Sequence, residues 1–321
     1  IMLKELSTIP ILPDLISVHN VIRPFIHKTP VLSSSSIDKL LGCKVFFKCE
    51  NMQKIGAFKY RGATNALLTL TYEEKQQGVA THSSGNHAAA LSLAAKLRGV
   101  KAYIVMPHTA PEIKKNAVKN YGGEIIFCEP NLASREETLK QVIEKTGVVE
   151  VHPYNNYTVI AGQSTAAKEL IEEVDFLDFM LTPVGGGGLL SGTSLTCKYF
   201  SSKTKVIGCE PKGADDAARS FKDGIIYPSV EPKTIADGLL TSLGDKPFGI
   251  IKQNVFNILT VGEENIIEAM RLLFQRLKIV VEPSGAVPLA VLLEHKEKFN
   301  GKTVGLILSG GNVDLGKLPF K

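Results

Sequence analysis

The feature that most constrains the fold is a regular alternation of short apolar runs with longer segments of helical character. The apolar runs are rich in β-branched and aromatic side chains, as β-strands are. They lie at residues 44–48, 79–82, 102–106, 124–128, 148–152, 179–184, 206–209, 257–261 and 304–308. Strands that alternate with helices predict an α/β fold in which helices cover both faces of a parallel sheet. The pattern excludes an all-α and an all-β fold.

Between about residues 76 and 152 the strand–helix units are short and closely spaced, which predicts a small sheet inserted into a larger one. Within this stretch, Ser134 and Glu137 have the spacing of a capping box and predict a helix start at Ser134. Further along, residues 264–278 predict one long helix with a single apolar face. That face consists of Ile266, Ile267, Met270, Leu273, Phe274 and Leu277.

Composition excludes several classes of function. The 321-residue chain has 37 Lys and Arg against 32 Asp and Glu, a net charge of +5, with no run of five or more basic residues. We therefore expect no nucleic-acid partner. No apolar stretch approaches the roughly 18 residues of a membrane span, so we expect no membrane partner. Lys4, Glu5 and Asp14 do not fit the apolar core of a signal peptide, which predicts a cytoplasmic location.

The cysteines support a reducing compartment. There are five, Cys43, Cys49, Cys128, Cys197 and Cys209, an odd number with no CxxC pair and no zinc-like spacing with histidine. Most of them lie beside apolar residues. We expect buried free thiols rather than disulfides or metal ligands.

The strongest ligand-binding signal is a run of four glycines, Gly185, Gly186, Gly187 and Gly188, between an apolar strand and a predicted helix. Ligands of parallel sheets bind at the carboxyl ends of strands, where helix N-termini present free N–H groups. Without side chains, the backbone can curl so that successive N–H groups point at an anion. The tetrad therefore predicts a phosphate site, and a flexible linker is the alternative.

Two weaker signals have the same placement. Residues 83–87, Ser-Ser-Gly-Asn-His, follow a strand and begin a helix rich in small residues. They can hold a carboxylate, or they can simply cap the helix. Residues 309–312, Ser-Gly-Gly-Asn, follow the last strand and indicate a ligand only weakly.

A dinucleotide site is an alternative use of the tetrad. Gly186, Gly188 and Ser191 approximate the G-x-G-x-x-G fingerprint, and Glu210 ends the next strand at about the distance of the ribose-binding acid. The third position is serine instead of glycine or alanine, which weakens the match. An NAD-dependent oxidoreductase is therefore a hypothesis from a different class.

One further segment organises these signals. Residues 51–63, Asn-Met-Gln-Lys-Ile-Gly-Ala-Phe-Lys-Tyr-Arg-Gly-Ala, resemble the lysine motif of tryptophan-synthase-β-like pyridoxal phosphate enzymes. The family's other motifs follow in the family's order. They are residues 83–87, the glycine tetrad, residues 210–216 and residues 309–312. Over nearly its whole length, the chain resembles the family's group of serine racemases and serine/threonine dehydratases.

The resemblance implies a particular architecture. It implies two open, mostly parallel twisted sheets flanked by helices, with a small domain inserted in a large one. Residues 1–75 and 153–321 would form the large domain, which binds pyridoxal phosphate. Residues 76–152 would form the small domain, which carries the substrate-carboxylate loop.

The resemblance also implies the cofactor site. The amine of Lys59 would form a Schiff base with pyridoxal phosphate, for which it must be held neutral. Phe58 would pack beside the cofactor ring, and the glycine tetrad would bind the phosphate. Asn86 would bind the ring hydroxyl, and Ser309 would meet the pyridine nitrogen. Because a hydroxyl does not keep that nitrogen protonated as a carboxylate would, the ring is a weaker electron sink and elimination is favoured.

Substrate recognition follows from the same resemblance. Ser83, Asn86 and His87 match the loop that receives the substrate carboxylate at a helix N-terminus. Arg135 matches an arginine that reads polar substrates, and a solvated arginine is its alternative interpretation. Ser84 matches the residue that faces Lys59 across the cofactor in serine racemases. Two bases on opposite faces of one carbon are what inversion requires.

The resemblance further implies a divalent cation, an activator and an oligomeric state. Glu210 and Asp216 would bind the cation through carboxylates and Ala214 through its carbonyl, an all-oxygen set that suits Mg²⁺, with Ca²⁺ or Mn²⁺ as alternatives. ATP is a candidate activator, but Ile55 replaces a hydroxyl residue of the animal enzymes beside Lys54. The family expectation is a homodimer.

We therefore expect a pyridoxal-phosphate-dependent racemase of L- and D-serine that also dehydrates serine to pyruvate and ammonia. Its partner is a small amino acid. The alternatives at the same site are a threonine/serine dehydratase and a hydroxyaspartate dehydratase, which share the lysine and the carboxylate loop. A nucleotide-sensing relative without catalysis is a third hypothesis, which the intact Lys59 and Ser309 argue against.

Overall fold

The computed structural model describes residues 4–320, which form ten strands in two sheets. The strands are β1 (Val31–Ser33), β2 (Lys44–Cys49), β3 (Val79–His82), β4 (Ala102–Pro107), β5 (Glu124–Cys128), β6 (Val149–Glu150), β7 (Phe179–Pro183), β8 (Lys205–Pro211), β9 (Asn257–Val261) and β10 (Thr303–Leu308). The helices are α1 (Leu12–Ile22), α2 (Ser35–Leu41), α3 (Lys59–Thr69), α4 (Tyr72–Gln77), α5 (Asn86–Lys96), α6 (Glu112–Asn120), α7 (Leu132–Thr146), α8 (Tyr157–Glu173), α9 (Gly188–Phe200), α10 (Asp216–Asp223), α11 (Asp245–Asn254), α12 (Glu263–Leu272) and α13 (Pro283–Glu294).

The two sheets confirm the expected α/β architecture. The larger sheet has the order β1-β2-β10-β7-β8-β9, and only the pairing of β1 with β2 is antiparallel within the part described. The smaller sheet has the order β5-β4-β3-β6 and is parallel throughout. Its strands all lie between Val79 and Glu150. The domain limits at residues 75/76 and 152/153 stay a prediction.

Helices cover both faces of the larger sheet because its central strands are apolar on both sides. In β10, Leu306 and Leu308 pack into one core cluster with the buried residues of α12 and α13. Ile307, which points the other way, packs with buried residues of α8 and α9. All five cysteines are buried free thiols, as expected. Among residues 4–320, no helix has both the length and the apolar character needed to cross a bilayer.

Two predicted helix limits are wrong. Helix α7 begins at Leu132, because the side chain of Asn131 accepts a hydrogen bond from the Ser134 backbone N–H at 2.8 Å and caps the helix earlier. The Ser134 hydroxyl instead accepts the Glu129 N–H at 3.1 Å. Helix α12 ends at Leu272 and continues only as a π-helical turn, in which Phe274 is 47% exposed.

A buried ion cluster joins the larger sheet to two helices. The guanidinium of Arg61, in α3, donates two hydrogen bonds to Glu50 (2.7 and 2.8 Å) and two to Glu169 of α8 (both 2.8 Å). Lys48 of β2 binds the same Glu169 carboxylate at 2.7 Å. The side chains of these four residues are at most 4% exposed. The cluster therefore fixes the start of α3 relative to β2 and α8.

We predict that Arg61→Leu destabilises the protein by about 3–5 kcal/mol, because it leaves Glu50 buried without its cation and Glu169 with Lys48 alone. Equilibrium denaturation by urea measures the change. Arg219→Leu is the matched control, since Arg219 forms an ion pair with Asp215 in which both side chains are more than 40% exposed. Its effect should stay below about 1 kcal/mol. Equal effects of the two substitutions would contradict the role of the buried cluster.

Candidate active site

Lys59 is the first residue of α3 and its amine contacts a backbone carbonyl of another segment. The Nζ atom donates a hydrogen bond to the Pro153 carbonyl at 2.8 Å. It lies 5.3 Å from the centre of the Phe58 ring and 5.9 Å from that of Tyr154. Burial lowers the pKa of the Lys59 amine from 10.5 to about 8. A substantial fraction of this amine is therefore neutral near physiological pH, as a nucleophile requires.

Residues 151–156, here called the connector, join β6 to α8 and contact several predicted site residues. Besides the bond from Lys59, the connector receives a bond from His87, whose Nε2–H donates to the Val151 carbonyl at 2.9 Å. The Asn156 side chain caps α8 by accepting the Val159 N–H at 3.0 Å. The lysine and the loop of residues 83–87 are thus held against the same segment.

The glycine tetrad lies at the end of β7, and α9 begins at Gly188. A Cβ atom on Gly186 would lie 2.3–2.5 Å from ring atoms of Tyr154, so no larger residue fits there. Gly187 has a φ of 90°, which only glycine adopts readily. The first N–H groups of α9 have no acceptor within their own helix. The tetrad therefore has the backbone that an anion site at a helix N-terminus needs.

Residues 83–87 lie between β3 and the first turn of α5. Ser83, Ser84 and Asn86 are partly exposed, whereas His87 is buried. Burial, with a contribution from Lys59, lowers the pKa of His87 to about 3, so its ring is neutral. Its Nδ1 atom is buried and finds no hydrogen-bond partner within residues 4–320. An acceptor without a partner in this position fits a site that binds a ligand.

Asn86 and the loop after β10 are linked through Glu282, a residue that sequence reasoning missed and whose backbone N–H donates to the Gly310 carbonyl at 3.0 Å. The Asn86 side-chain amide donates to both oxygens of Glu282, at 2.9 and 3.2 Å. The Ser309 carbonyl accepts the Phe58 N–H at 3.0 Å, and Gly310 pairs with Ala57 in a β-bridge. The loop after β10 therefore lies directly against the segment that carries Lys59.

Glu282 is buried at the start of α13, and burial raises the pKa of its carboxyl to about 7. It accepts bonds from Asn86 and from the Asn312 backbone N–H at 3.2 Å. Tyr154 was missed as well, although its ring lies against Gly186 and its Cβ and backbone atoms lie against Gly188. Neither residue belongs to a motif in the sequence. The only local signal was a glutamate just before a Pro-Ser-Gly helix start.

Arg135 lies in the first half of α7, close to the carboxyl end of β3. Burial lowers the pKa of His82, the residue before Ser83, and the charge of Arg135 lowers it further while Glu136 raises it. In the described part of the chain, the buried Nε atom of Arg135 has no hydrogen-bond partner. The guanidinium is thus within electrostatic range of the loop and has donor capacity to spare.

The predicted cation ligands Glu210, Ala214 and Asp216 are brought together at the end of β8 and the start of α10. Both Glu210 oxygens accept backbone N–H groups of α10, at 2.9 and 2.8 Å. Both Asp216 oxygens are buried and lack a hydrogen-bond partner anywhere in residues 4–320. Burial raises the pKa of Glu210 to about 8 and that of Asp216 to about 6, and the Ser229 hydroxyl near Asp216 offsets only part of the effect. Buried, unpartnered carboxylate oxygens fit a cation site.

In the alternative dinucleotide site, the side chains of Ser191 and Glu210 are already engaged in hydrogen bonds within the protein. The Ser191 hydroxyl is buried and donates to the Pro247 carbonyl at 3.3 Å. Glu210 is engaged by the N–H groups of α10 and is not available to a ribose hydroxyl.

Comparison with known proteins identifies the class. The family of pyridoxal-phosphate-dependent enzymes matches residues 22–310, so the chain belongs to that family. Within it, the chain belongs to the group of serine racemases and serine/threonine dehydratases. The NAD-dependent oxidoreductase hypothesis is therefore wrong.

Individual relatives are similar over nearly their full length. The beta-hydroxyaspartate dehydratase of Paracoccus denitrificans (strain Pd 1222) is 52% identical, covering 97% of this chain and 99% of the relative. The serine racemase of Dictyostelium discoideum is 50% identical, covering 96% of each chain. The crystal structure of the Dictyostelium enzyme superposes with a TM-score of 0.91 over 95% of this chain and 99% of that chain.

The residues present fit pyridoxal phosphate. An amine of lowered pKa, a glycine cradle at a helix N-terminus and an unpartnered imidazole nitrogen lie around the same connector. The aldehyde, the phosphate and the polar ring atoms of the cofactor are the groups that such a set can hold.

We predict that Asp216→Asn stabilises the protein in the presence of a chelator. Burial raises the pKa of Asp216 in the folded protein from 3.8 to about 6, so the protonated carboxyl is favoured by folding and the carboxylate is disfavoured. The stability of the folded protein therefore falls as the pH rises from about 4 through 6, whereas the uncharged asparagine carries no such cost. The gain in the free energy of unfolding should therefore be about 1–2 kcal/mol larger at pH 8 than at pH 4.5. Urea denaturation at the two pH values measures it.

The matched control is Asp223→Asn, at the exposed end of the same helix α10. It should change the stability little at either pH. A loss of stability in Asp216→Asn at pH 8 would mean that the carboxylate has a partner in the folded protein.

Proposed function

We propose that this chain racemises serine and also dehydrates serine to pyruvate and ammonia, with pyridoxal phosphate bound to Lys59. The observation that carries the proposal is the Lys59 amine, whose pKa burial lowers to about 8 and whose Nζ atom is fixed on the connector. Family membership and relatives near 50% identity support the same reaction class.

Cofactor binding is assigned to the residues that the resemblance implies. The N–H groups around Gly185–Gly188 would hold the phosphate, and Phe58 would pack against the ring. Asn86 would bind the ring hydroxyl through its side-chain amide, in exchange for one of the two hydrogen bonds that this amide donates to Glu282. Ser309 would face the pyridine nitrogen. When bound, the cofactor supplies an electron sink for negative charge at the substrate α-carbon.

Lys59 is proposed to move the α-proton. Because the pKa of its amine is about 8, the amine can accept a proton near neutral pH and the ammonium can return one. The carbonyl of Pro153 orients the amine in both states, since it can accept a hydrogen bond from either form.

Ser84 is proposed as the second proton-transfer group. It lies in the loop that ends β3, next to Ser83 and Asn86, whose neighbouring N–H groups at the start of α5 would bind the substrate carboxylate. His87 fixes this loop to the connector that also holds Lys59. A proton donor on each side of the α-carbon permits inversion, whereas Lys59 alone permits elimination.

A second candidate reaction is the dehydration of 3-hydroxyaspartate. Arg135 favours it, because a buried guanidinium nitrogen without a partner can bind the extra carboxylate of that substrate. The Paracoccus relative that is 52% identical carries that activity in its name. Serine, which has no second carboxylate, would leave this nitrogen unused.

We also propose that Mg²⁺ binds between Glu210, Ala214 and Asp216. The two unpartnered oxygens of Asp216 and the raised pKa values of both carboxyls support a cation there. All three ligands are oxygens, which Mg²⁺, Ca²⁺ and Mn²⁺ accept. In the denaturation experiment described above, Mg²⁺ at pH 8 should stabilise the wild type and leave Asp216→Asn unchanged.

The resemblance supports two further proposals, a homodimer and activation by ATP. Near the expected nucleotide contacts, Lys54 Nζ already donates to the Phe25 carbonyl at 2.8 Å, and the buried Ile55 replaces a hydroxyl group. Sedimentation equilibrium tests the dimer. Turnover of serine with and without ATP tests the activation.

We predict that Lys59→Ala lowers both activities by about a thousandfold or more, because it removes the nucleophile and a proton-transfer group. Borohydride reduction followed by peptide mass spectrometry should find the cofactor on Lys59 in the wild type. Lys54→Ala, a lysine in the same segment, should keep the adduct and the activity. An adduct on a different lysine, or none, would refute the proposed function.

We predict that Ser84→Ala lowers racemisation of serine by about a hundredfold or more while dehydration of L-serine stays within about threefold. D-serine and pyruvate are followed in one assay. Ser83→Ala, which would affect carboxylate binding only, should change both rates together. Parallel loss of the two activities in Ser84→Ala would argue against two-sided proton transfer.

We predict that Arg135→Leu lowers kcat/KM for 3-hydroxyaspartate by about 10- to 100-fold, the effect of losing a charged hydrogen bond. The kcat/KM for serine should stay within about threefold. Arg219→Leu, at an exposed site of α10, is the control and should change neither value. An equal drop for both substrates would show that Arg135 does not read the second carboxylate.

A further inference from the structure

The position of the connector determines the geometry of the proposed active site. Its Pro153 carbonyl accepts the hydrogen bond from Lys59 at 2.8 Å. Its Tyr154 lies against the proposed phosphate loop, with the ring at Gly186 and the Cβ and backbone atoms at Gly188. Whatever fixes the turn of the connector therefore fixes the lysine amine and one wall of the cofactor site together.

His152 holds this turn from inside the connector. Its Nδ1 atom accepts the backbone N–H of Asn155 at 2.8 Å and that of Tyr154 at 3.3 Å. The imidazole also packs edge-on against the Tyr154 ring, with 4.7 Å between the ring centres. The Asn155 side chain continues the link by donating to Asp245 of α11 at 2.7 Å.

These bonds define the tautomer of His152. A nitrogen that accepts N–H bonds carries a lone pair, so the single proton of the neutral ring is on Nε2. Burial, together with the charges of His82, Lys59 and Lys246, lowers the pKa of His152 to about 3, whereas the charge of Asp245 acts to raise it. The ring therefore stays neutral, and Nδ1 remains an acceptor, throughout the neutral pH range.

A metal site is the competing interpretation of this region. His82, Glu150 and His152 lie on one face of the β3–β6 pair, with one ligand atom from each within 4.8 Å of the others. Coordination by Nε2 of His152 would move its proton to Nδ1, where two backbone N–H groups already point. The N–H groups of Tyr154 and Asn155 and the new Nδ1–H would then be three donors facing one another without an acceptor. The hydrogen bonds of the connector thus disfavour a metal here.

We propose that His152 is a positioning residue for Lys59, which it places by capping the connector turn through Nδ1. The proposal rests on the proposed function of Lys59. Without the imidazole, the N–H groups of Tyr154 and Asn155 would lose their acceptor and the turn would open to water. The amine of Lys59 would then be better hydrated, and its pKa would return toward 10.5 from about 8.

Two substitutions separate the cap from the bulk of the side chain. In His152→Asn, the side-chain oxygen can accept N–H groups two and three residues further on, as asparagine does in turns and helix caps. In His152→Leu, the volume is similar but no acceptor remains. The proposal therefore predicts rescue by asparagine and loss with leucine.

The first readout is the pH dependence with which acetic anhydride labels Lys59 in the full chain freed of cofactor, followed by peptide mass spectrometry. Labelling reports the neutral amine. In His152→Leu the apparent pKa should rise by about one unit, so labelling at pH 7 should fall about tenfold. In His152→Asn both values should match the wild type.

The second readout is turnover by the loaded enzyme. In His152→Leu, kcat should fall about tenfold while KM stays within about threefold, and His152→Asn should keep most of kcat. An unchanged labelling profile in His152→Leu, or equal impairment of both variants, would overturn the proposal. Absence of a cofactor adduct on Lys59 would refute the proposed function but not the labelling result, so the two failures are distinguishable.

The third readout does not use His152→Leu and remains decisive if that variant does not fold. Two-bond ¹H–¹⁵N spectra of histidine-labelled protein, assigned with His152→Asn, should show the Nε2–H tautomer from pH 6 to pH 9. The Nδ1–H tautomer would overturn the proposal. So would a shift of the His152 signals with one equivalent of Zn²⁺, because it would mean that the metal site prevails.

Discussion

The four buried charges of Lys48, Glu50, Arg61 and Glu169 are the constraint on which the site depends. Buried ions are tolerated only when each is paired and hydrogen-bonded, and here Arg61 satisfies two carboxylates at once. Because Arg61 lies two residues after Lys59, the cluster sets where the first turn of α3 begins. The backbone of Lys59 thus belongs to a rigid helix, which restricts the position of its amine.

Chemistry in this protein is divided between rigid elements and one connecting segment. The proposed phosphate loop and cation ligands follow strands of the larger sheet, whereas the proposed carboxylate loop follows a strand of the smaller sheet. The connector bridges the two sheets and is bonded to both Lys59 and His87. A change in the relative position of the sheets would therefore move the carbonyl that binds the lysine amine.

Local patterns predicted the elements well but not all of their limits. The β-rich runs predicted every strand except the three-residue β1, because alternation and β-branched content are properties of short segments. The start of α7 was misplaced because Asn131 and Ser134 are both competent caps, and the choice depends on how the preceding loop approaches. The resemblance located Lys59, Ser84 and the glycine tetrad, while their roles stay proposals. The resemblance did not indicate Glu282 or Tyr154, nor the role proposed here for His152.

The sequence by itself determined the α/β class, the order of the loops that follow the strands and the membership in a cofactor family, because these depend on spacing along the chain. Only the tertiary structure decided which distant groups meet. Asn86 meets Glu282 across 196 residues, and Arg61 meets Glu169 across 108. Such pairs leave no periodic signal, since their energy depends on burial and geometry that exist only once both sheets have formed.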